Sequence, residues 1–239
     1  MAKTHPDLLL WGDIETTTLS PATGGAIIEV GLIVTDNDLR EIDTIEVLIK
    51  PPADAHWEPW CANQHGESGL RARAETQGVT NRQAERTLTA FVDRHFPLDL
   101  SGASLLSPRP ILCGNSVHFD SAWIAHLMPN LAARFHHRHL DVTGARLFLS
   151  RVCGLPADRP EREVAHTALA DLRDAISDLR RYRALVLEGG THRRADAVGL
   201  RGTLFDEWCA AEGIDPARCP AEVYRAWAAA RDHFSRESK

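Results

Sequence analysis

The chain has 239 residues, 44% hydrophobic and 25% charged, ordinary values for one globular domain with a sizeable core. A formal net charge of -6 argues against a protein that lives on long nucleic acid through an overall basic surface, but leaves room for a short substrate gripped by metal and a few cations. Five scattered cysteines, at 61, 113, 153, 209 and 219, make no C-x-x-C pair and argue for reduced thiols in a cytoplasmic protein without a zinc framework. No apolar run approaches membrane-spanning length and no signal-peptide pattern opens the chain, so no membrane partner is expected.

Residues 8–15, Leu-Leu-Leu-Trp-Gly-Asp-Ile-Glu, begin as a buried strand and end on two carboxylates, Asp13 and Glu15. Their i, i+2 spacing puts both on one face of a strand. Like charges there need compensation, and a divalent cation with hard oxygen ligands is the simplest. Taken alone, Asp-x-Glu is more often a hydrated strand end. Residues 16–25, rich in Thr, Pro and Gly, read as a loop, and 26–35 as a second strand. A third strand over 44–49 stops before Pro51-Pro52. Short links between the three predict an antiparallel meander. Residues 53–78 read as irregular or helical. Residues 81–95 carry a helical pattern, with Leu88, Phe91, Val92 and His95 on or near one side.

After a loop over 98–110, residues 111–114 predict a short buried strand, and a helix follows from about 119 to 127. A strand over 140–142, a helix over 144–153 and a loop over 161–166 come next. A long helix over 168–187 has Leu169, Leu172, Ile176 and Leu179 at i, i+3, i+7 and i+10. Three strands followed by strand–helix alternation predict an α/β domain with a mixed sheet. Gly189-Gly190 breaks the pattern. The expected organisation is a domain over 1–188, a polar linker over 189–202 and a small helical extension over 203–239. That extension reads as a packing element, with recruitment or oligomerisation as the alternative.

Two further acidic positions accompany the first strand. Asp120 falls in the first turn of the helix after residues 111–114, where the helix dipole favours a carboxylate. Asp171 falls early in the long helix beside its apolar face, and His166 lies just before that helix. Each has an ordinary structural reading by itself. Together they give four acids and one histidine in the order strand, helix start, helix start.

In this combination the sequence resembles the DEDD exonucleases of the RNase H-like superfold, histidine subtype, and within them the oligoribonuclease family. The first motif matches as Asp13-Ile14-Glu15-Thr16-Thr17-Thr18-Leu19, the second as Cys113-Gly114-Asn115-Ser116 through Asp120, and the third as His166-Thr167-Ala168-Leu169-Ala170-Asp171. Residues 127–131 and 135–143 follow the family style, as do Trp60 and His65 with Ser68-Gly69-Leu70. The likeness covers roughly residues 7 to 187. It implies a mixed five-stranded sheet, three antiparallel strands and then two more, flanked by helices.

The resemblance also implies a 3′-to-5′ exonuclease that cuts very short single-stranded oligoribonucleotides to mononucleotides. Asp13, Glu15, Asp120 and Asp171 would hold two Mg²⁺ or Mn²⁺ ions. His166 would be general base for the attacking water, its unperturbed pKa of about 6.5 suiting the task. Leu19 would wedge between the last two bases, and Trp60 and His65 would line the pocket of the 3′ nucleotide. Ser116, Thr143 and Arg138 would cap a 5′ phosphate, with Arg138 supplied by the second subunit of a homodimer. Three positions depart from the family: Thr18 stands for the usual Gly, Thr143 for Ser, and His137 for the Tyr that stacks on a base across the dimer. A 3′-to-5′ DNA exonuclease of the proofreading or phage-replication kind shares the same acids and is the alternative. A non-catalytic nucleotide-binding module is a further one.

Overall fold

A computed structural model of the chain describes residues 8–97, 109–158 and 167–196. Five strands pair in the order β3-β2-β1-β4-β5. β1 (Leu8–Thr16), β2 (Ile27–Asp36) and β3 (Glu41–Leu48) form the antiparallel meander. β4 (Leu112–Gly114) and β5 (His139–Asp141) extend the sheet in parallel from the other side of β1. Parallel neighbours need crossovers. The connection from β3, at the sheet edge, to β4, beside β1, carries α1 (Pro59–Glu67), α2 (Leu70–Gln77) and α3 (Asn81–His95). The one from β4 to β5 carries α4 (His118–Leu127) and α5 (Pro129–Ala132).

Alternation along β1 feeds two cores. Leu10 and Ile14 pack with Leu88 and Phe91 of α3 and Trp123 and Ile124 of α4. Trp11 points the other way, into a cluster with Ile33, Cys113, Leu172 and Ile176. The last two belong to α7 (Ala168–Asp196), which covers that second face. The sheet is therefore the middle of three layers, and β1, at its centre, sees helices on both sides.

Local signals explain several helix ends. Thr80 starts α3 with a reciprocal cap: its hydroxyl accepts from Gln83 N–H while the Gln83 side chain accepts from Thr80 N–H. Gly69, at φ 73°, turns the chain between α1 and α2 in the left-handed region that glycine enters without penalty. The helix predicted over 144–153 starts earlier, because Asp141 caps it by accepting from Gly144 N–H. It has two parts, α6 (Val142–Leu147) and a π-helical turn (Phe148–Val152).

The chain divides into two units, Met1–Leu185 and Val186–Lys239. Gly189-Gly190 does not end the long helix as expected, since α7 continues through both to Asp196. Two glycines cost a helix about 2 kcal/mol relative to alanine, too little to stop one already running for several turns. The rest of the expected linker and the helical extension over 203–239 lie outside the described residues. Among the described residues no helix is long and apolar enough to cross a membrane.

Candidate active site

The pleat places Asp13 and Glu15 on the Trp11 side of β1, the face that α7 covers. Their cross-strand partners on β2 are Gly31 for Asp13 and Glu29 for Glu15. Gly31 is what lets the helix in. A Cβ at Gly31 would lie 2.9 Å from the Cβ of Ala168 and 3.1 Å from its carbonyl carbon. With the first turn of α7 seated there, Asp171 reaches the strand acids. Ligand oxygens of Asp13, Glu15 and Asp171 all lie within 4.8 Å of one another.

Asp120 arrives from the β4 side. The pairing of β1 with β4 ends at Trp11–Cys113, so the strand runs on without that neighbour. Asp120, in the first turn of α4, takes over: its Oδ1 accepts from Ile14 N–H at 3.1 Å. It is almost wholly buried. The four acids of the three motifs therefore converge at one end of β1, three in a tight group and the fourth bound to the backbone between Asp13 and Glu15.

The arrangement is electrostatically unfavourable without a counter-charge. Burial pushes the Asp13 carboxyl well above its usual range, and the charges of Asp120, Glu15 and Asp171 push it further. Glu15 rises to about 8, through burial and then Asp171, Glu29 and Asp120. Asp120 rises to about 7, chiefly through burial, against the hydrogen bond from Ile14. Converging hard oxygen donors that cannot all ionise comfortably suit a divalent cation. His166 lies outside the described residues.

The expected substrate residues divide into groups. Leu19 and Trp60 are each 59% exposed. The link between their segments is short, for Glu58 N–H donates to Thr17 O at 2.9 Å. His65, expected to line the nucleotide pocket beside Trp60, is buried where α1 docks it on the end of β1. Its Nε2–H donates to Thr16 O at 3.0 Å and lies 3.7 Å from Glu15 Oε2. Thr18 needs no glycine-like backbone, since Leu39 and Ser116 are the non-glycine residues with positive φ among those described. Its buried hydroxyl donates to Ser20 O at 2.8 Å, in space that a side chain on Gly25 would occupy.

Ser116 and Thr143 are brought together, with Ser116 Oγ 3.4 Å from Thr143 Oγ1. The carboxylate of Asp141 organises them, accepting from the N–H groups of Ser116, Val117 and Gly144 at 3.0–3.2 Å. Beside them is a cavity of about 420 Å³ lined by Asn115, Ser116, Val142, Thr143, Arg146, Asp178 and Tyr182. The cation lining it is Arg146 of the same chain. Arg138 and His137 are exposed on the segment before β5, where His137 stacks on His136 with ring centroids 4.2 Å apart, and neither lines the cavity.

Sequence reasoning missed Glu29, Asp141 and Arg146. Glu29 had a readable signal, being an acid inside an apolar strand run, and it is fully buried. Asp141 had none beyond lying in the family-style run over 135–143, and Arg146 had none.

A sheet of this order with an acidic cluster at the end of its central strand has the architecture of the RNase H-like superfold. The family profile described as an exonuclease matches residues 10–177. The oligoribonuclease of Nitrosomonas eutropha is 34% identical over 178 residues, 73% of this chain and 93% of that protein. That of Thiobacillus denitrificans is 36% identical over 183 residues, 75% of this chain and 94% of that protein. The chain belongs to the oligoribonuclease family of DEDD exonucleases. Among solved structures, Exonuclease I from Methylocaldum szegediense superposes with a TM-score of 0.54 at 21% identity, over 76% of this chain and 40% of that longer one. An E. coli ExoI–ssDNA complex gives a TM-score of 0.54 at 20% identity, over 78% and 43%. These two show the shared fold.

Proposed function

We propose that the chain is a 3′-to-5′ exoribonuclease that hydrolyses very short oligoribonucleotides, dinucleotides above all, to 5′-mononucleotides. The observation that carries this reading is the convergence of Asp13, Glu15 and Asp171 within 4.8 Å on a chain of the oligoribonuclease family. When bound, two divalent cations, Mg²⁺ or Mn²⁺, supply a low-pKa water and charge to offset the leaving 3′ oxygen. Asp13, Glu15, Asp120 and Asp171 would hold them.

The chain's own residues do the rest. His166, two residues before Ala168, takes the proton of the attacking water. Leu19 and Trp60, both exposed beside the acids' strand, contact the two terminal bases. His65 holds the Thr16 end of β1 and so steadies Glu15. Ser116 and Thr143 receive a terminal 5′ phosphate, which carries more charge than an internal diester and binds charged donors more strongly. Arg138, with His137, acts from the second subunit of a homodimer, and the protein works in the cytoplasm on single-stranded RNA. A cavity closed around the 5′ end penalises a third nucleotide.

Metal-dependent digestion of end-labelled RNA and DNA from two to twenty nucleotides tests this. The expected result is fastest turnover of the RNA dinucleotide and none in excess EDTA. Equal turnover at all lengths, per 3′ end, would make it a general exonuclease. A preference for DNA would favour the DNA-exonuclease reading instead.

A further inference from the structure

Glu29 is a fifth carboxylate at the acid site. It stands directly across β1–β2 from Glu15 and is fully buried. Both of its oxygens are engaged by the protein. Oε2 accepts from Ala168 N–H at 2.8 Å, and Oε1 lies 3.4 Å from Arg73 Nη2 of α2. Ala168 is the first residue of α7, so its N–H is one of the donors a helix leaves without an internal partner. A carboxylate at that position also meets the favourable end of the helix dipole. Residues i and i+3 share a helix face, so fixing Ala168 against β2 also aims Asp171 at β1. The neighbouring seat is Gly31, whose missing side chain sets how closely Ala168 can approach.

We infer that Glu29 is a positioning residue, which clamps the first turn of α7 to β2 and thereby sets the place of Asp171 in the metal-binding group. The inference rests on the metal-dependent reading above and adds to it a residue that touches neither substrate nor metal. It works by reach. Glutamate spans from the β2 backbone to Ala168 N–H, while aspartate, one methylene shorter, does not without dragging the helix. Glutamine has the same reach and keeps an acceptor oxygen. Arg73, part-exposed and already 3.6 Å from Glu46 Oε2, can turn away from the new amide.

The test compares Glu29→Asp with Glu29→Gln in the full chain. Mn²⁺ binding to the free protein is read by calorimetry or electron paramagnetic resonance, and kcat and KM are measured on a dinucleotide. Loss of a group that orients metal ligands typically costs about 10–100-fold in metal affinity or activity. Glu29→Asp should weaken Mn²⁺ binding by about that factor, raise the metal concentration for half-maximal rate in step, and leave KM for RNA unchanged. Glu29→Gln should stay close to wild type. Gly31→Ala, which displaces the same helix turn by a different contact, should reproduce the aspartate result, and it serves if Glu29→Asp does not fold. Wild-type affinity in the aspartate variant, or a glutamine variant as impaired as the aspartate one, overturns the inference. If wild-type protein hydrolyses RNA and binds Mn²⁺ while the variants fall in the wrong order, this inference alone fails. A wild-type chain that binds no Mn²⁺ sinks the metal-dependent reading itself, and this inference with it.

Discussion

Asp120 accepts a hydrogen bond from the backbone N–H of Ile14, the residue between the two acids of β1. One carboxylate thus does two jobs. It satisfies a strand N–H that β4 leaves behind, and it brings a negative charge to the cluster. Asparagine keeps the first job and abandons the second. Asp120→Asn should therefore melt close to wild type yet lose about 10–100-fold in turnover at saturating Mg²⁺. Asp120→Ala should lose both, with about 1–3 kcal/mol of stability gone for the unsatisfied buried N–H. Denaturant titration beside a dinucleotide assay separates the two. Retained activity in the asparagine variant would remove Asp120 from the metal site.

Metal-free protein should be less stable at pH 8 than at pH 5. Glu15 and Asp120 have folded-state pKa values raised to about 8 and about 7, by burial first. Between the unfolded and folded values, the native state holds protons that the unfolded chain has released. Stability then falls as pH rises through that window. A divalent cation bound to the native state opposes this, adding about 2.7 kcal/mol at a hundred times its dissociation constant. Melting temperatures from pH 5 to 8, in EDTA and in Mg²⁺, check the sign. A stability in EDTA that rises across this range would contradict the burial argument.

Trp60→Ala should raise KM for a dinucleotide by about 5- to 150-fold, the equivalent of 1–3 kcal/mol of base stacking. The ring is 59% exposed, so the melting temperature should hardly move. Trp60→Phe should recover most of the loss. An unchanged KM in the alanine variant would mean that Trp60 does not touch the base.

Gly25→Ala should destabilise the protein by about 1–3 kcal/mol through overpacking. The new methyl would lie 2.2 Å from Thr18 Oγ1 and 2.9 Å from Trp123 Cη2. Adding Thr18→Gly should relieve only part of the penalty, because the Trp123 contact remains. Chemical denaturation of both singles and the double measures that coupling. Full additivity would show that Thr18 and Gly25 do not share the space.

Much of the site was legible because it rests on short-range geometry. The i, i+2 spacing of Asp13 and Glu15 needed only a strand, whereas Asp120 and Asp171 stood out only through the combination of motifs and its resemblance to the DEDD exonucleases. The meander followed from short links. What could not be read depends on contacts across long stretches of chain. The isolated run Ile27–Asp36 hints that Glu29 is buried but not that its partner is Ala168. The reach of Asp141 to Ser116 is set by β4–β5 pairing, and the burial of His65 by the docking of α1 on Thr16. Gly189-Gly190 misled for a different reason: local propensity weighs about 1 kcal/mol per glycine, and a long helix outvotes it.

The clamp between Glu29 and Ala168 also bears on synthesis. Asp13, Glu15 and Glu29 leave the ribosome early, but the last acid and the helix turn that seats it come near the end of the domain. A nascent chain that has not reached Ala168 carries Asp13, Glu15 and Asp120 without the fourth acid, Asp171. Nuclease activity on this architecture is a late acquisition. It comes with the contact that closes the domain, which joins residues 139 positions apart in the chain.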